Sequence, residues 1–168
     1  MSSVSKTAIL ASGVVFLITG GFAAVQKAQS PEKRITPAEV QWPAPAGGSV
    51  GTSGVAGIQT VILKGDPSKP GLYTLLLRAA PNMKIASHSH RDDRVATVVS
   101  GKWYFGYGRE FNEAGLRELP PGSFYTEPPG VAHFAMTKGE GAIIQISGTG
   151  PSDTIYVDPH NDPTKQPK

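Results

Sequence analysis

Three of the four histidines in this 168-residue chain fall into two clusters, His88 and His90 in the run MKIASHSH and His133 in AHFAMTK. Imidazole is the commonest side-chain ligand for transition metals. Two residues apart on an extended strand, His88 and His90 point to one face, and a neighbouring strand can bring a third ring to the same ion. Burying three imidazoles together without a cation is costly, so the spacing favours a divalent metal over three hydrogen-bonded polar residues. Cysteine is absent. Disulfides, thiolate ligands and a cysteine nucleophile are therefore excluded, and any metal must use His, carboxylate or amide donors.

Strands must position these rings. From Ala56 onward, runs rich in Val, Ile, Leu, Tyr and Phe alternate with Gly and Pro breaks, giving nine candidate strands at 57–64, 72–79, 83–90, 94–101, 102–108, 123–128, 132–138, 142–148 and 154–157. Turn signals such as KGDPSKPG, VSGKW and TKGEG separate them, and only FNEAGLREL has a helical cadence. The 20 glycines and 15 prolines punctuate apolar runs and form no biased tract. An all-β antiparallel barrel or sandwich is the expected fold class.

Two longer patterns surround the histidines. The first runs from Asn82 through His88-x-His90 and Arg94 to Gly101; the second is Gly122, Pro128-x-Gly130, His133 and Thr137. In spacing they resemble the two motifs of the cupin superfamily. Asn82 stands in the slot of a glycine and tolerates a left-handed turn, Arg94 stands in the slot of a glutamate, and Thr137 in that of an asparagine. The flanking KGDPSKPGLY and GTGPSDTIYVDPHNDP are similar to a group of small exported bacterial cupins. The resemblance implies a jelly-roll barrel (double-stranded β-helix). It also implies a site for one divalent ion, iron, manganese, zinc or nickel, on His88, His90 and His133.

Arg94 cannot ligate a metal, which leaves the fourth position to water, to Asp93 after a one-residue bulge, or to a residue of an opposing strand. Asp93 is equally suited to capping its loop with Asp92 and pairing with Arg91 or Arg94. Arg94 itself could clamp a substrate carboxylate with its planar fork. Gln145, polar within an apolar strand and on the face of Ser147, is a candidate pocket-lining group. Glu127 is a candidate proton carrier if it faces inward. One face of Trp103, Tyr104, Phe105 and Tyr107 is expected to enter the barrel, and His160 reads as a loop residue.

Residues 7–25 form an uncharged run after Lys6, the layout of a secretory signal or a signal anchor over residues 1–28. A Pro/Gly-rich arm or linker follows at 29–54, with Val40 and Trp42 as plugs for the barrel of residues 55–168. The expected location is periplasmic or secreted, with membrane anchoring through 7–25 if the segment stays uncleaved. The net charge is +3, and discounting Lys6 and Lys27 leaves +1. Such a domain has no footprint for nucleic acid. The expected partner is a small-molecule ligand, with a homodimer through sheet edges as a further option. The resemblance to three-histidine iron cupins implies a metal-dependent, dioxygenase-like enzyme. The resemblance to zinc-binding cupin domains of regulatory proteins implies instead a non-catalytic binding or sensing module.

Overall fold

The computed structural model describes residues 32–166. The apolar run at 7–25, with the export signal read there, lies outside the described residues. Among them no helix is long and apolar enough to cross a membrane.

The described residues form ten strands: β1 (Ile58–Lys64), β2 (Gly71–Ala79), β3 (Lys84–Ser89), β4 (Arg94–Gly101), β5 (Trp103–Tyr107), β6 (Arg117–Leu119), β7 (Phe124–Glu127), β8 (His133–Met136), β9 (Ala142–Gly150) and β10 (Ile155–Tyr156). They make two five-stranded antiparallel sheets, ordered β1-β2-β9-β4-β7 and β10-β3-β8-β5-β6. The fold is an all-β jelly roll, as the strand spacing and the two motifs imply. FNEAGLREL is not helical. It gives a single 3-10 turn at Glu113–Gly115, capped by the Asn112 side chain, and then β6, because Gly115 interrupts the cadence and Arg117–Leu119 pair with β5.

Alternation decides what each strand buries. Tyr73, Leu75 and Leu77 of β2, Ala96 and Val98 of β4, and Ile144 and Ile146 of β9 turn inward and meet Ile85, Trp103, Phe105 and Tyr125 from the other strands. Burying such side chains contributes about 25 cal/mol per Å² of apolar surface, the main force closing the roll. The same alternation carries Arg94 and Glu127, at the ends of the paired strands β4 and β7, into the interior.

Of the described residues, 35–166 belong to one compact unit. Within the arm, Trp42 lies under the Arg78 guanidinium, 4.0 Å from the ring centroid. Gly51, Thr52 and Ser53 are buried. Their carbonyls accept, respectively, from Arg94 Nη1, Thr154 Oγ1 and Tyr156 Oη, which seats the arm across one end of the roll. A Cβ on Gly51 would come within 2.4 Å of Ser152 Oγ, and its φ of +77° is left-handed, so glycine is what permits the close approach.

Candidate metal centre

A bulge creates the histidine pair. Between the partners Ile85↔Ala135 and His88↔His133, β3 carries one residue more than β8. Without the bulge, Ile85, Ser87 and Ser89 would share the inner face. The extra residue shifts the phase, so His88 and His90 face inward beyond it. His88 and His133 then stand directly opposite across β3 and β8, with ring centroids 4.5 Å apart; His90 lies 5.0 and 5.1 Å from them.

Each ring is oriented from behind. Nδ1 of His88 faces the Ala86 carbonyl at 2.8 Å, Nδ1 of His90 the Asp153 carbonyl at 2.5 Å, and Nδ1 of His133 the Val131 carbonyl at 3.1 Å. A carbonyl only accepts, so Nδ1 carries the proton and Nε2 of each neutral ring presents a bare lone pair. The ligating nitrogens lie within 4.8 Å of one another, and all three residues are buried. Nε2 of His90 and of His133 have no hydrogen-bond partner.

The rings are held neutral. Burial, with His133 second, pushes His88 down to about 3. Burial and the Arg94 guanidinium push His90 well below its ordinary value. Burial lowers His133 as well. Neutral imidazoles with inward lone pairs and outward donors form the donor set that a borderline divalent ion takes.

Beside them sits an ion pair that the sequence did not reveal. Arg94 Nε donates to Glu127 Oε2 at 2.7 Å, and Nη2 donates to the same oxygen. That oxygen is 3.6 Å from His90 Nε2 and 3.8 Å from His133 Nε2. Burial raises the Glu127 carboxyl, but Arg94, followed by the three histidines, overrides it and holds the group at about 2. Glu127 therefore stands at the centre as a carboxylate.

The remaining candidates separate cleanly. Asp93 does not reach the cluster: Arg94 keeps the inner face of β4, so alternation turns residue 93 outward, where it is exposed. Its neighbour Asp92 is buried instead, accepting from Tyr73 Oη at 2.6 Å and Ser152 Oγ at 2.7 Å. Gln145 is exposed on the outer face of β9, the phase opposite to Ile144 and Ile146, and does not line the pocket. Trp103 and Phe105 enter the core while Tyr107 is exposed, and His160 is a surface residue paired with Asp158. The space beside the rings is a cavity of about 30 Å³, room for a water-sized molecule. Its walls include Leu77, Trp103, Tyr125 and Ile146, and the arm residues Gly51–Ser53 line it as well.

The chain matches no protein-family model and no curated protein. Solved structures do match. The polyketide cyclase RemF from Streptomyces resistomycificus aligns at TM-score 0.61 and 17% identity, over 82% of this chain and 95% of that one. An RmlC-like cupin from Shewanella frigidimarina aligns at 0.52 and 18%, over 73% and 94%. KdgF from a Halomonas species aligns at 0.51 and 19%, over 71% and 96%. The chain spans only 47% and 60% of the length of two other matched structures. At such identities the likeness is one of fold.

Proposed function

The chain has the cupin fold, and on that premise we propose that it is an exported metal-binding cupin whose His88, His90 and His133 hold one divalent ion for chemistry on a small molecule. The observation that carries this reading is the set of three buried imidazoles whose ligand nitrogens lie within 4.8 Å of one another, with every Nδ1 facing a carbonyl. Bare acceptors crowd together at little cost only when a cation lies between them. An ion with three imidazole ligands supplies Lewis acidity and open coordination positions. The chain's own residues supply the rest. Apolar walls exclude bulk water, the carbonyls fix the rings, and Arg94 fixes the one carboxylate beside them. The solved neighbours include enzymes, a polyketide cyclase among them, which supports an enzymatic role for the centre.

One observation favours a second reading, a non-catalytic metal-binding or sensing module. The arm carbonyls of Gly51, Thr52 and Ser53 are bonded to the roll, and the cavity they help to line beside the rings is small, about 30 Å³. Export rests on the apolar run at residues 7–25 and places the domain in the periplasm or beyond, either released or anchored. Elemental analysis, with oxygen uptake on catechols, thiols and dicarbonyls, separates these readings. Redox-active iron or manganese with turnover supports the enzyme, zinc without turnover supports the module, and a metal-free protein that takes up no ion overturns both. Cell fractionation tests export, and a purely cytoplasmic protein contradicts it.

A further inference from the structure

We propose that Glu127 is a fourth protein ligand of the centre, delivered from β7 by Arg94; the inference rests on the three-histidine reading above. Its basis is an arrangement of acceptors. Oε2 of Glu127 lies 3.6 and 3.8 Å from the Nε2 atoms of His90 and His133, and the two nitrogens have no hydrogen-bond partner. Both Nδ1 atoms face backbone carbonyls, so each ring turns its Nε2 edge to the carboxylate. At these separations neither nitrogen is hydrogen-bonded to Oε2, and the three polar atoms face one another across a gap of the size a cation spans. Ligand bonds of about 2.1 Å set donors around a tetrahedral ion about 3.4 Å apart, close to the separations found.

Arg94 makes the delivery possible. It is the direct register partner of Glu127 across β4 and β7, and the two side chains are 3% and 5% exposed. A carboxylate left alone at that depth would protonate; beside a guanidinium it keeps its charge. The Glu127 carboxylate has about four lone-pair sites, so one guanidinium bond can pass to Oε1 when Oε2 turns to the ion. A salt bridge with a structural role alone would not aim its acceptor at two bare nitrogens.

The test titrates the full-length protein with Zn²⁺ and with Co²⁺, whose visible bands report coordination, in wild type, His133→Ala, Glu127→Gln and Glu127→Asp. The expected result is that Glu127→Gln weakens Zn²⁺ at least about tenfold and shifts the Co²⁺ bands. Glu127→Asp keeps the charge and the guanidinium partner but withdraws the oxygen by one methylene. It shifts the bands too, and it decides the matter should the Gln variant fail to fold. The charge swap Arg94→Glu with Glu127→Arg moves the carboxylate across the same register pair and restores Zn²⁺ binding to within about tenfold of wild type. Affinity and bands unchanged in a folded Gln or Asp variant overturn the inference while the three-histidine site stands. Zn²⁺ binding unchanged by His133→Ala overturns the site itself.

Discussion

The backbone N–H of Gly130 donates to the carbonyl of His90 at 2.8 Å, so the turn leading into His133 is anchored on the last residue of the His88-x-His90 pair. With His88 and His133 already register partners across β3 and β8, the two ligand segments are joined by main-chain bonds that need no ion. The centre is preorganised by the sheet.

Metal removal should consequently leave the fold intact. Chelation is expected to lower Tm, since an ion that binds only the folded state stabilises it by mass action, while far-UV circular dichroism keeps its strand signal. Loss of that signal on chelation would mean that the ion, and not the sheet, builds the roll.

Arg94→Met is expected to be among the most damaging single changes away from the apolar core. It strands the Glu127 carboxylate in the interior, a loss of about 3–5 kcal/mol for a broken buried pair. A urea midpoint within error of wild type would show that the pair is dispensable. Replacing both partners by apolar residues, Arg94→Met with Glu127→Leu, should recover much of the loss, because no charge is then left unpaired.

The metal-free protein should weaken in acid. His88 titrates at about 3 in the fold against 6.5 as a free side chain, and His90 and His133 are lowered in the same direction. Between those pH values the unfolded chain binds protons that the folded chain refuses, so stability is full above about 6.5 and falls towards about 3. Glu127, at about 2 in the fold against 4.5, extends the loss to lower pH. Urea midpoints at about pH 7.5 should therefore exceed those at about pH 5; equal midpoints would indicate rings that are not held neutral.

Gly51→Ala tests the seating of the arm. The added methyl meets Ser152 Oγ at 2.4 Å on a backbone with φ +77°, an expected loss of about 1–3 kcal/mol. Limited proteolysis of the variant should cut within residues 35–54 sooner than in wild type. An unchanged cleavage pattern and Tm would mean that the arm is not held at Gly51.

Much of this architecture is legible in the sequence, and the reasons the rest is not are local. Alternating apolar residues announced nine strands, and Asn82 does take the left-handed φ of 58° that its turn slot demands. β6 escaped because Arg117-Glu118-Leu119 has no apolar alternation and is a strand only through its pairing with Trp103–Phe105. The phase of Gln145 is not legible: on a strand as apolar as Ala142–Ile146, sequence alone does not say which alternate set faces in, and the structure turns Gln145 out. Glu127 is a candidate in the sequence only on the condition that it faces inward. Its burial became visible only with the register that sets it opposite Arg94, a pairing between segments that sequence spacing does not encode. The bulge that turns His88 and His90 inward leaves no residue signature at all.

The measurement that bears most directly on the whole account is the divalent metal content of purified wild-type protein beside a His88→Ala, His133→Ala double variant. One equivalent per chain in the wild type and a negligible fraction in the variant, with both proteins folded, is the expected result. Equal content in the two, or none in the wild type after exposure to zinc, iron, manganese and nickel, would contradict a centre built on these histidines.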